Sequence, residues 1–290
     1  MSSQHPDWFT YALDQPFESR EIDLDGTRIT YRAWGKSGAA PVVLVHGGAA
    51  HAGWWDATAP YLAAERRVIA IDLSGHGDSD RRESYSLATW AAEVIAVAAA
   101  ESDQAPLIFG HSMGGFVALT AGRDFGPSLR GVAAIDSPVR ELSAEAKAWI
   151  AEGGHGDIPG NKVYPDRETI LSRFRTLPED TSTLSYVKDH IAEGSIKQVD
   201  AGWTWKFDPH IFLSSRMEPE ELAAIDCEVA LIRGERGMAT TDITDLVAER
   251  LGGHVPVTLI PDAGHHIMLD QPIALIAVLQ TLLGQWRQHD

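Results

Sequence analysis

The 290-residue chain has one cysteine, Cys227. A single thiol excludes an intramolecular disulfide framework and a cysteine-built metal centre. Cys227 precedes the apolar run Val229-Ala230-Leu231-Ile232, which reads as a small residue at a strand edge rather than a reactive thiol. Long apolar stretches are also missing. Even a run such as Val94 to Ala100, which no other exceeds, falls far short of the ~20 residues that span a bilayer. The N-terminus has no basic segment followed by an apolar one, so no secretory signal is expected and the location expected is cytoplasmic. Positive charge is scarce, with 24 Lys and Arg against 41 Asp and Glu and a net charge of −17. Nucleic acid and anionic membrane surfaces would be repelled at long range and are not expected partners. The twelve histidines are scattered along the chain, and neither a metal nor a cofactor is expected.

What is present is ordinary for a globular protein: 44% hydrophobic and 22% charged residues, enough for a substantial core. Residues 1–18 are polar and aperiodic and read as an arm. Alternation around Asp25-Gly26 (Ile22, Leu24, then Ile29, Tyr31, Ala33) predicts a hairpin from Arg20 to Trp34. Continuous apolar runs at Pro41–Val45, Arg67–Leu73, Leu107–Phe109 and Gly131–Ile135 predict strands covered on both faces. Helical stretches near Trp54–Ala64 and Ser86–Ala100 alternate with them. The implied fold is α/β, a mostly parallel, doubly wound sheet. After Pro138 the rhythm breaks. Helical stretches are expected at Glu141–Ala151, Arg167–Thr176 and Thr183–Glu193, closed by the aromatic run from Trp203 to Phe207. The rhythm resumes with strand Glu228–Arg233, helix Thr241–Leu251, strand Val255–Pro261 and helix Pro272–Trp286. The expected organisation is a core (residues 1–138), a helical cap (139–214) and the second part of the core (215–290).

The stretch Pro106 to Phe116 carries the chemistry. An apolar strand runs into Gly110-His111-Ser112-Met113-Gly114, and an apolar helix follows. This is the pattern of a nucleophile elbow. A serine attacks well only when it is exposed, close to a base and beside donors for a developing oxyanion. The helix N-terminus offers the backbone N–H of Met113 for that purpose. A base is expected at the same carboxyl edge of the sheet, in the loop Pro261-Asp262-Ala263-Gly264-His265-His266 after the last strand. The glycine before it favours His265, with His266 a neighbour that packs or lines the pocket.

His46-Gly47-Gly48, Gly75-His76-Gly77-Asp78-Ser79, Gly110-His111-Ser112-Met113-Gly114-Gly115 and Gly264-His265 follow one another in this order. Together they resemble the α/β-hydrolase superfamily, over the chain from about Ile22 to Trp286. The resemblance implies the chain order Ser, acid, His, and an oxyanion hole of Met113 plus a backbone N–H from the loop after His46, that of Gly48, with Ala49 as the alternative. The family's usual acid would sit after the strand ending near Arg233, but this chain reads Gly234-Glu235-Arg236-Gly237-Met238 there. A minority solution in the family places the acid at the end of the strand after the elbow helix, which here carries Asp136. Asp136 is therefore favoured over Glu235, Asp242 and Asp245.

His51, Trp54, His111 and Trp205 are the substrate-binding candidates. Core anchoring for Trp54, packing of the cap for Trp205 and a supporting hydrogen bond for His111 remain open alternatives. The expected reaction is hydrolysis of a small-molecule carboxylic ester or lactone through an acyl-enzyme on Ser112. Hydrolysis of a carbon–carbon bond in a diketone-like substrate is one alternative, and a ligand-binding receptor that keeps the fold is another.

Overall fold

The computed structural model describes residues 5–141, 143–145, 148, 160–214 and 216–286. The chain opens with helix α1 (Asp7–Asp14), which buries Phe9 and Ala12. This corrects the reading of residues 1–18 as an arm. About two turns are too few for a visible helical period, and what fixes them is tertiary: Phe9 lies edge-on to Tyr186, with ring centroids 5.0 Å apart. Strands β1 (Glu18–Leu24) and β2 (Thr27–Trp34) form the expected hairpin, with Leu24 opposite Thr27 across Asp25-Gly26.

β3 (Pro41–Val45), β4 (Arg67–Ile71), β5 (Leu107–His111) and β6 (Gly131–Ile135) are buried along their whole length. With β9 (Glu228–Gly234) and β10 (Val257–Ile260) they complete an eight-stranded sheet ordered β1-β2-β4-β3-β5-β6-β9-β10. Only β1–β2 and β2–β4 pair antiparallel. Period-two alternation divides the core. Val42 and Leu44 face one side with Phe9, Trp55 and Leu279; Val43 and Val45 face the other with Trp90, Val94 and Val117. Helix α3 (Leu87–Glu101) starts where Ser86 Oγ accepts the Thr89 N–H at 3.0 Å. Helix α4 (Met113–Phe125) follows β5. The stretch expected as one helix from Trp54 to Ala64 is instead a 3₁₀ turn (Ala52–Trp55) and a short helix, α2 (Ala59–Leu62). Pro60 removes the donor that a continuous helix would need.

Between β6 and β9 the described residues carry helices Arg167–Leu171 and Ser185–Gly194 and a two-stranded hairpin, β7 (Ile196–Val199) with β8 (Gly202–Trp205). The helix expected at Glu141–Ala151 lies largely outside the described residues. The hairpin corrects the expectation of an all-helical insertion: alternation in four-residue strands is too short to stand out. This segment meets the loops at the carboxyl ends of the strands. The N–H of Gly77 donates to Lys206 O at 2.7 Å, that of Asp208 to Gly75 O at 2.7 Å, and that of Leu184 to Leu269 O at 3.0 Å. No helix among the described residues is long and apolar enough to cross a membrane.

Candidate active site

The carboxyl ends of three adjacent strands, β3, β5 and β6, lead to non-glycine residues with positive φ: Ala49 at 59°, Ser112 at 54° and Asp136 at 46°. Such conformations cost ~1–3 kcal/mol each and persist only where surrounding structure imposes them. At Ser112 the imposition is close packing. A Cβ on Gly110 would lie 1.9 Å from Gly114 O, and one on Gly114 would lie 2.4 Å from Val45 O. Strand and helix therefore approach closely enough to force the serine outward.

Ser112 Oγ lies 3.0 Å from His265 Nε2, and His265 Nδ1 lies 2.6 Å from Asp136 Oδ2. With Nδ1–H donating to the carboxylate, Nε2 is left as the acceptor for the serine hydroxyl. Asp136 is fully buried, so its charge needs several donors. Two come from the end of β9 and the turn after it: Gly234 N–H at 3.1 Å to Oδ1 and Met238 N–H at 2.8 Å to Oδ2. The turn without the usual acid thus holds the acid supplied by β6. The fit requires glycine at 237, where a Cβ would lie 2.0 Å from Asp136 Oδ1. Of the other acids weighed, Glu235 accepts the Asp262 N–H at 2.9 Å, and Asp242 lies in the first turn of the helix Thr241–Arg250. Asp245 belongs to the same helix.

Two histidines flank His265. His111 and His266 have ring centroids 4.8 Å from that of His265. His111 Nε2–H donates to His265 O at 2.8 Å and so steadies the loop. Burial, then the neighbouring His265, pushes His111 well below its ordinary pKa and His266 down to about 3. Both are therefore neutral near pH 7. The same trio is the one set of His, Cys, Asp or Glu side chains spaced to share an ion among the described residues. Both nitrogens of His265 are already engaged.

The loop after β3 lies against the elbow: a Cβ on Gly47 would sit 3.3 Å from Ser112 Cβ, and one on Gly48 would sit 3.8 Å from Met113 Sδ. Among the described residues the N–H groups of Met113 and Gly48 take no intrachain acceptor. The loop is fixed from below by Asp72, which accepts the Ala52 N–H at 2.6 Å and the Asp78 N–H at 3.0 Å. His46 Nε2 accepts the Leu73 N–H at 3.2 Å and joins the same two loops.

Gly48, Ala49, Trp54 and His266 form one part of the wall of a partly open cavity of about 400 Å³. The rest comes mainly from the insertion, including Tyr164, Phe174, Trp205, Phe207 and Phe212. Trp54 and Trp205, both substrate-binding candidates, are on this wall, while His51 and His111 are not. His51 is buried and bonds Ser195 Oγ at 3.1 Å, tying the loop after β3 to the insertion. Trp55 is wholly in the core. Cys227 is half-buried, and burial pushes its thiol up to about 12.

Arg236 and Asp180 are contributors that sequence reasoning missed. The Arg236 guanidinium bonds Asp180 at 2.9 and 3.2 Å, Ser182 Oγ at 2.9 Å and Asp262 O at 3.2 Å. It clamps the insertion to the turn under Asp136 and to the loop carrying His265. The only signal in the sequence was Arg236 standing inside a departed motif.

The chain matches the alpha/beta hydrolase family over residues 42–278. An esterase of Mycobacterium tuberculosis is 26% identical over 262 residues, covering 86% of this chain and 84% of that protein. The dihydrolipoyllysine-residue acetyltransferase component of the acetoin cleaving system of Pseudomonas putida is 37% identical over 274 residues, covering 93% of this chain and 70% of that protein. Among solved structures, the thioesterase domain from the curacin biosynthetic pathway has the same fold, with a TM-score of 0.79 at 23% identity over 92% of this chain and 100% of that one.

Proposed function

The chain belongs to the alpha/beta hydrolase family, and we propose that within it this protein is a serine hydrolase that cleaves a carboxylic ester or lactone through an acyl-enzyme on Ser112. The observation that carries the reading is the unbroken chain of hydrogen bonds from Ser112 through His265 to the buried Asp136, beside an apolar cavity. Similarity to the mycobacterial esterase supports the ester bond as the target.

In the proposed reaction Ser112 Oγ attacks the substrate carbonyl carbon while His265 Nε2 takes the hydroxyl proton. Asp136 keeps the Nδ1–H tautomer in place and stabilises the imidazolium that forms. The N–H groups of Met113 and Gly48 receive the negative oxygen, and such preorganised donors are worth ~2.7–4 kcal/mol each in comparable sites. His265 returns its proton to the departing alkoxide, which leaves as alcohol and the serine as an ester. Water then attacks the acyl carbon, giving a proton to His265, and the acid departs as Ser112 regains its proton. The insertion acts as the cap, with Tyr164, Phe174, Trp205, Phe207 and Phe212 walling the cavity around the acyl group.

The test is turnover of p-nitrophenyl esters of varied chain length and of lactones by the wild-type protein and Ser112→Ala. A pre-steady-state burst of nitrophenol that disappears in Ser112→Ala is expected. Hydrolysis by Ser112→Ala at the wild-type rate would refute the reading.

A further inference from the structure

The charge on the cavity wall runs against that of the chain as a whole. Acidic residues outnumber basic ones 41 to 24, yet the charged side chains lining the cavity are Arg173 and Arg175, with no Asp or Glu among the lining residues. The two differ in their engagement. Arg175 pairs with Glu179 at 3.5 Å and donates to the carbonyls of Ser172 and Phe174 at 3.1 and 2.7 Å. The Arg173 guanidinium has neither a hydrogen bond nor an ion pair among the described residues. It flanks Phe174, whose ring meets that of Trp205 at 6.2 Å on the same wall.

We infer that the cavity takes an ester whose non-reacting arm ends in a carboxylate, with Arg173 as its partner. This rests on the ester-hydrolase reading above. Aromatic walls suit the apolar body of such an arm, and a guanidinium with no partner among the described residues presents a planar fork that matches a carboxylate in bidentate geometry. A plain alkyl chain would use the aromatic surface but leave the cation idle. Arg173 is exposed to solvent at the cavity edge. Its contribution is therefore selectivity between substrates of equal length rather than tight binding.

The experiment compares p-nitrophenyl monoesters of straight-chain dicarboxylic acids with p-nitrophenyl alkanoates of equal length. The readout is the ratio of kcat/KM, anionic over neutral, within each protein. For the wild type a ratio of about ten at low salt is expected, from one partly solvated charge-assisted pair, falling as ionic strength rises. Arg173→Gln should bring the ratio to about one, Arg173→Lys should keep part of it, and Arg173→Glu should invert it. A wild-type ratio at or below one, or a ratio unchanged across the three variants, overturns the inference. Binding of the same esters to Ser112→Ala, read by tryptophan fluorescence from Trp54 and Trp205, separates the two claims. An anionic preference in binding without wild-type turnover refutes the hydrolase reading and sustains the carboxylate site. No preference in either measurement refutes the site.

Discussion

Replacing Gly237 with alanine adds one methyl group against the carboxylate of Asp136, and it should disable the site. The added Cβ would lie 2.0 Å from Asp136 Oδ1, 2.6 Å from Cγ and 2.7 Å from Oδ2. Real Cβ contacts do not fall below 3.0 Å, so the carboxylate must retreat by at least 3.0 − 2.0 = 1.0 Å. A displacement of that size misplaces the carboxylate against His265 Nδ1, with which it makes a 2.6 Å bond, and against the Gly234 and Met238 N–H donors that hold it. Misplacing a catalytic group by ~1 Å costs about 10²-fold, and losing the acid's carboxylate costs up to ~10⁴-fold in serine triads. Gly237→Ala should therefore lower kcat by about 10²-fold, with KM nearly unchanged because residue 237 does not line the cavity. Asp136→Ala should lower it further. In the Asp136→Ala background the new methyl meets no carboxylate, so adding Gly237→Ala should cost less than about twofold. The assay is p-nitrophenyl ester turnover on all four proteins, with thermal unfolding to confirm that each is folded. Wild-type kcat in Gly237→Ala, or a full loss repeated in the Asp136→Ala background, would show that Gly237 does not act through Asp136.

Three further outcomes are expected. Arg236→Gln and Asp180→Asn should each lower kcat several-fold and shift the acid limb of the kcat pH profile, because the clamp joins the turn under Asp136 to the loop of His265; Arg236→Lys should rescue part of the loss, and unchanged profiles would remove its positioning role. Burial lowers His51 to about 4 and His266 to about 3 from 6.5, so below pH 6.5 the unfolded chain takes up protons that the folded one refuses. Stability is then lost as pH falls from about 6.5 through those values, by up to about 3 kcal/mol for His51 (2.5 units at ~1.36 kcal/mol each). Urea midpoints measured against pH should flatten over that range in His51→Gln, and an unaltered slope would contradict the assignment. Trp205→Ala should raise KM about tenfold for long-chain esters and much less for acetate, by loss of apolar wall; equal effects on both would place Trp205 outside the acyl site.

The parts of this fold legible in the sequence are those whose signal is local. Pro41–Val45 and Gly131–Ile135 are buried on both faces and read as unbroken apolar runs. Asp25-Gly26 marks the hairpin, and the elbow spacing marks Ser112. Helix α1 and the β7–β8 hairpin were not legible, because each is short and held by partners distant in sequence, as Phe9 is by Tyr186. The placement of Asp136 was legible only through an absence at Gly237. The steric reason for that absence, a carboxylate occupying the space, needed coordinates. Arg173 falls in the stretch expected as a helix to Thr176, but the helix ends at Leu171, and no motif marked Arg173 as a cavity residue. His51 illustrates the converse: it follows the glycine-rich loop in sequence but points to Ser195.

The most direct measurement of the central claim is covalent labelling by a fluorophosphonate, mapped by peptide mass spectrometry. A nucleophilic serine held 3.0 Å from His265 should acquire a single adduct, on the peptide containing Ser112. That adduct should be absent in Ser112→Ala and form far more slowly in His265→Gln and Asp136→Asn. Labelling at another residue, or a folded wild-type protein that takes no label at Ser112, would contradict the account.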